Sequence, residues 1–207
     1  MATPVAAILT FESRVVTAEG VTKNTHFQER FIRTDNMVWS QRIAPRAEPS
    51  HGREDSHEHG HEHKHNLNFA LAAKWIVRTQ DNQVQFQFVR AEDKTIIVPR
   101  VSEYGTLGFD GRWETAYYLL DPAELAKMRK LAEPAAKNAS WYESKNSAMF
   151  TRILWDEVQQ LPLAIETGSI DGSASNKISL TLVAAPKTLP WKELAAYESI
   201  AYEDLLD

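Results

Sequence analysis

Cysteine is absent from the 207 residues. That excludes disulfides, thiolate metal sites, iron–sulfur ligation and cysteine nucleophiles. It does not distinguish an oxidising compartment from a reducing one. No apolar run approaches the roughly 20 residues that a membrane-spanning helix needs. A surplus of positive charge is missing as well. The formal net charge is −5 and the isoelectric point lies near 5.8, which excludes a bulk binder of nucleic acid or another polyanion. The opening Met1-Ala2-Thr3-Pro4 has no basic segment followed by a long apolar one, so no signal peptide is legible. No G-x-S-x-G elbow, phosphate-binding loop, dinucleotide fingerprint or EF-hand loop occurs. Asp110 and Glu114, flanking Trp113, fit an acid–base pair and a solvated turn equally well. With no other sign of catalysis, the expectation is a protein that is not an enzyme.

What is present fits a globular protein. Apolar residues make up 43% and charged residues 25% of the chain, so residues 1–207 are expected to form a single domain with a real core. Six Trp, six Tyr and eight Phe supply large rings for that core.

The patterning is that of strands. Residues 5–18 are rich in β-formers and stop at Glu19-Gly20. Residues 24–34 and 37–44 flank Asp35-Asn36, a two-residue turn signal. Residues 67–79 and 83–90 flank Gln80-Asp81-Asn82, and Gln83 to Phe88 alternate strictly between polar and apolar, as in a strand with one wet face. Residues 94–99 extend the set. Phe109 to Trp113 read as a turn. Asp121-Pro122-Ala123-Glu124 reads as a capped helix start, predicting a helix to about Leu131 or Ala132 that ends before Pro134. Residues 148–155 and 161–167 are strand-like, and Asp171-Gly172-Ser173 precedes a strand over 176–184, with Ile178, Leu180 and Leu182 on one side. Residues 190–207 read as an amphipathic helix, with Leu194, Tyr197, Ala201 and Leu205 on one stripe. The expected class is α+β: a predominantly antiparallel sheet curled into an incomplete barrel, with a middle helix and a C-terminal helix packed on it.

One segment breaks the pattern. Residues 45–66 combine two prolines, two glycines and many charges with almost no apolar residue, and are expected to be a mobile loop inserted between strands. Six of the seven histidines lie there: His51, His57, His59, His61, His63 and His65. Neutral imidazole is a common ligand for zinc, copper and nickel. In an extended chain, side chains two residues apart share a face, so the last five could converge on one ion. In a helix, His57, His61 and His65 would line one face and His59 with His63 another. A divalent transition metal (Zn, Cu or Ni) is therefore the expected cofactor. A solvated low-complexity loop and a pH-sensing loop are the alternatives. The two matches to H-E-x-x-H, beginning at His57 and at His61, lack the apolar helical frame that a zinc-protease site needs. His26, alone in a strand, reads as an ordinary hydrogen-bonded or surface residue.

Arg152 to Asp156, Leu161 to Glu166 and Asp171-Gly172-Ser173 with the strand after them resemble the later strands of lipoprotein-localisation-factor-like (LolA/LolB-like) envelope proteins. Phe31, Arg33, Trp39 and Arg42 in the early strands are similar in character. The resemblance implies a half-barrel closed by helices, an apolar cavity for acyl chains and the bacterial periplasm. It gives two expected functions: a periplasmic protein that buffers, delivers or senses a metal through the histidine loop, or a carrier of a lipid or lipoprotein acyl chain. In the second case Trp39, Trp75, Phe86, Phe88 and Trp155 would line the cavity. Metal ions, an apolar ligand or an envelope protein are the expected partners.

Overall fold

A computed structural model describes residues 3–44 and 71–205. Twelve strands form one sheet: β1 Val5–Val16, β2 Thr22–Thr34, β3 Met37–Ile43, β4 Ala73–Arg78, β5 Val84–Arg90, β6 Thr95–Val98, β7 Arg129–Lys130, β8 Ala139–Lys145, β9 Met149–Asp156, β10 Leu161–Ser169, β11 Ala174–Val183 and β12 Glu198–Ala201. Their order is β12-β6-β5-β4-β3-β2-β1-β11-β10-β9-β8-β7. Each pairing is antiparallel except β12 with β6. The edge strands β12 and β7 do not pair with each other, so the sheet stays open. The expected predominantly antiparallel sheet, left open as an incomplete barrel, is what the chain forms, with few and short helices on it.

The hairpins form where turn chemistry places them. Asp35-Asn36 joins β2 to β3, and Asp171-Gly172 joins β10 to β11, with Gly172 at φ 77°. A left-handed residue of that kind is nearly free of strain only as glycine. Between β4 and β5 the Thr79 and Gln83 backbones close the turn at 2.9 Å.

Alternation gives the sheet two apolar faces. The front face carries Ala7, Leu9, Phe31, Val38, Ile76, Phe86, Phe88 and Ile97, all buried. The segment from 101 to 128 crosses it from β6 to β7. Tyr104, Phe109 and Trp113 from that segment complete this core, and the Tyr104 hydroxyl accepts from the Phe86 amide at 3.1 Å. The back face carries Ala6, Ile32, Trp39, Ala73, Val89 and Ile96, covered by Leu194 with Trp191 and Tyr197. A third cluster packs Leu125 on Ile153 and Trp155.

Two helix expectations are corrected. The Asp121 side chain does cap a helix, accepting from the Ala123 amide at 2.8 Å, but α2 ends at Leu125 (Pro122–Leu125), not near 131. The chain beyond joins the sheet instead: β7 pairs with β8, and the Leu131 amide donates to the Trp141 carbonyl at 2.8 Å. Residues 190–207 are not one helix either. A 3-10 helix covers Pro190–Ala196, and β12 then adds to β6 in parallel, seated by Glu198 N–H to Lys94 at 3.0 Å and Tyr202 N–H to Val98 at 3.1 Å. Exposed ladder groups on β6 outcompete a helix that starts from proline and has no partner beyond its first turns. The short helix α1 (Trp113–Tyr118) is not foreseen in the sequence, and it takes up Trp113 from the expected turn.

Candidate functional site

Residues directly opposite in neighbouring strands share a face, so the register locates each side chain. On the front face one row runs Phe27, Phe11, Ile178, Ile165, Ile153, Tyr142, through β2, β1, β11, β10, β9 and β8. Six consecutive strands therefore present one apolar residue each at the same level. Only Ile153 is buried; the other five are half-exposed. With strands about 4.8 Å apart, the row is about 24 Å long.

The next level outward is polar and carries no charge: Thr25, Ser13, Asn176, Thr167, Thr151 and Ser144. An apolar trough thus runs between the covered core and a neutral hydrogen-bonding border. At its far end the Tyr142 phenol is held above its usual pKa by burial and by a 3.0 Å hydrogen bond to Glu157.

At its near end the trough opens into a cavity of about 370 Å³ lined by Phe27, Phe88, Leu107, Glu29, Arg42 and Lys74, among others. The Phe11 and Phe27 rings stack at 4.5 Å, and the Arg42 guanidinium lies 4.1 Å over Phe27. Arg42 is therefore held against the ring that begins the row. The Ser40 hydroxyl donates to Glu29 at 2.7 Å. Among the described residues no carboxylate lies within ion-pairing distance of Arg42 or Lys74.

The crossing segment over this face is fixed by Arg33, 5% exposed. Its guanidinium donates to the carbonyls of Tyr117 at 2.7 Å, Gln160 at 3.3 Å and Gln159, and stacks 4.2 Å from the Tyr117 ring. Burial lowers its pKa below the ordinary arginine value. One side chain thus joins β2, the end of α1 and the β9–β10 turn.

A larger hollow, about 510 Å³, is lined mostly from the back face, by Glu12, His26, Lys177, Glu166 and Phe150 among others, and is also touched by Ser13, Thr25, Thr167 and Asn176 of the border. Its chemistry is different. The row His26, Glu12, Lys177, Glu166, Arg152, Glu143, Arg129 alternates in sign from Glu12 onward, across six strands. Lys177 meets Glu166 at 3.4 Å, and Arg152 pairs with Glu133. Lys177, Glu166, Arg152, Glu143 and Arg129 each have a partner of opposite charge, whereas the front trough leaves apolar surface and two cations that have no carboxylate partner among the described residues.

The expected lining of an apolar cavity is corrected. Trp39 and Trp75 pair with each other on the back face, under the C-terminal segment. Phe86 and Phe88 lie on the front face, and Trp155 belongs to the third cluster. The five rings therefore do not surround one space. Strand alternation alone could not show this, because it gives two faces per strand but not which faces align. Phe11, Phe27, Ile165, Tyr142, Arg42 and Lys74 were missed as site residues for the same reason; only Ile178 had been read on an apolar side.

His51, His57, His59, His61, His63 and His65, with the whole tract 45–66, lie outside the described residues. His26 is exposed on β2 opposite Glu12. Among the described residues no group of three histidine, aspartate or glutamate side chains could hold a metal ion, and no helix is long and apolar enough to cross a membrane.

No protein-family model and no curated protein matches the chain. Among solved structures it is similar to an uncharacterised conserved protein from Thermus thermophilus, at 8% identity over 97% of this chain and 91% of that one, with a TM-score of 0.47. It is also similar to an outer membrane lipoprotein-sorting protein domain from Vibrio parahaemolyticus, at 10% identity over 92% and 89%, TM-score 0.36. A third is MucB of Pseudomonas aeruginosa in complex with MucA, at 13% identity over 94% of this chain and 56% of that one, TM-score 0.37. The chain spans about half the length of this third structure.

Proposed function

We propose that the protein is a carrier that binds the apolar chain of an amphiphile in the front-face trough, without chemical conversion of it. The observation that carries this reading is the register row from Phe27 to Tyr142: six apolar residues at one level, five of them half-exposed, bordered by six neutral polar ones. An elongated hydrocarbon laid along it removes apolar surface from water on both partners, at about 25 cal/mol per Å². The uncharged border sets no ion against the chain. The compartment we propose is the bacterial envelope, as the resemblance of the late strands implies.

The test is a titration with 1-N-phenylnaphthylamine, an apolar fluorophore that brightens out of water. Wild type is expected to bind with saturation, and Ile178→Asp to lose most of the signal while keeping its unfolding midpoint within a small shift. Unsaturable signal, or equal binding by the variant, overturns the reading.

The histidine tract supports a second proposal on sequence grounds: five imidazoles alternating from His57 to His65 give a divalent transition metal several nitrogen donors within one short stretch. Calorimetry with zinc, copper and nickel on chelator-stripped protein tests it. Submicromolar binding that disappears when all five are changed to alanine is expected; no heat with any of the three metals ends the proposal.

A further inference from the structure

Resting on the carrier reading, we infer that the ligand bears an anionic headgroup, received by Arg42 and Lys74 at the mouth of the trough, with its single chain running from Phe27 toward Tyr142. Three observations converge on this. Arg42, Lys74 and Glu29 line the same cavity, and two cations against one carboxylate leave a surplus of one positive charge. The carboxylate is already engaged, since Glu29 accepts from Ser40 at 2.7 Å, whereas neither cation has a carboxylate partner among the described residues. Both cations are half-buried, so their field is less screened than on an open surface.

The position of Arg42 gives the ligand its direction. Its guanidinium lies 4.1 Å over Phe27, which stacks at 4.5 Å on Phe11, the second residue of the row. A monoanionic head at Arg42 therefore places the first carbons of its chain on Phe27 and Phe11. The other end of the row carries one cation, Lys130, opposite Tyr142 and 5.7 Å from its ring, and Glu157 already pairs with it at 3.8 Å. Tyr142 is neutral and hydrogen-bonded to Glu157, and Glu143 beside it faces the opposite side of the sheet. Arginine supplies a planar fork suited to a carboxylate or a phosphate, and lysine a point charge beside it. The chemistry shared by a fatty acid and a lysophospholipid phosphate is thus the recognised feature: one negative head on one chain.

Two probes with the same twelve-carbon tail separate head from chain: dodecanoate and dodecyl maltoside, titrated below their micellar concentrations by calorimetry. Wild type is expected to bind dodecanoate at least tenfold more tightly than the maltoside. In the Arg42→Gln/Lys74→Gln double variant, dodecanoate should weaken at least tenfold and the maltoside stay within twofold. Lys74→Gln alone, which leaves the Phe27 stack intact, should show part of the same selective loss. Arg42→Lys should retain the preference for the anion. Lysophosphatidic acid binding with the same dependence on the two cations would extend the headgroup to phosphate. Equal affinity for both probes in wild type, or equal weakening of both in the double variant, overturns the headgroup inference and leaves the carrier reading standing. Binding of neither probe by wild type overturns both.

Discussion

Replacing Arg33 by methionine removes a buried side chain that fastens the crossing segment to the sheet. The guanidinium is 5% exposed and donates to three backbone carbonyls, at Tyr117, Gln159 and Gln160. A hydrogen bond from a charged donor contributes about 1.5–3 kcal/mol, and stacking on Tyr117 about 1 kcal/mol more. Opposing this, the cation gives up hydration on burial, the same cost that lowers its pKa. Methionine relieves that cost and keeps much of the apolar volume, but leaves three carbonyls without their donor. The net loss expected is about 3 kcal/mol, at the low end for dismantling a buried charged cluster. Arg33→Lys keeps the charge, but a single ammonium cannot fork to three carbonyls on two elements. It should lose about 2 kcal/mol. Urea unfolding followed by tryptophan fluorescence reads both as midpoint shifts at constant slope. A methionine variant within about 0.5 kcal/mol of wild type, the range of an ordinary surface change, would refute the role given to Arg33.

Gly168→Ala should destabilise by about 1–3 kcal/mol through overpacking, because its Cβ would lie 2.8 Å from the Ala174 carbonyl oxygen and 2.8 Å from Phe150 Cε1. Adding Phe150→Ala in the same midpoint assay should restore only part of the loss, since the carbonyl cannot move aside as a ring can. Asp171 gives a pH test. The Ser169 hydroxyl, then the Ser173 amide and hydroxyl, hold its carboxyl down at about 2, below the ordinary 3.8. A depressed folded-state pKa stabilises above the unfolded value and stops doing so as pH falls through the folded one. Asp171→Asn should therefore be less stable than wild type at pH 7, and the gap should close between about pH 4 and pH 2. A gap unchanged over that range counts against the turn's hydrogen bonds.

Local chemistry was legible where it decided the outcome locally. Asp35-Asn36 and Asp171-Gly172 marked hairpins because their turns need residues that tolerate positive φ or bond their own backbone. Asp121-Pro122 marked a helix start correctly, and the Asp121 cap forms. The failures all involve a distant partner. The stripe Leu194, Tyr197, Ala201, Leu205 looks helical in isolation, yet Ser199 and Ile200 are drawn to the edge of β6, about a hundred residues earlier. The helix from Asp121 stops because β8 takes the chain beyond it. Likewise, Phe11 and Ile178 each read as one apolar position on one strand. Only the pairing of β1 with β11 makes them neighbours. The histidine tract was conspicuous in composition, but composition says what a segment could ligate and not where the trough lies.

The back-face ladder of charge also bears on how so wide a sheet finds one arrangement. Sliding β11 by two residues along β1 would keep every side chain on its proper side, so burial alone resists it only weakly. In one direction, however, it would set Lys177 against Arg14, and a like slide of β8 along β9 would set Arg152 against Lys145. In the other direction both lose their opposite-charge partners across the strand pair. Like charges facing one another across a strand pair repel. Alternating sign therefore acts as a proofreading mark on alignment, and with alignment it guards the levelling of the six apolar side chains on the other side.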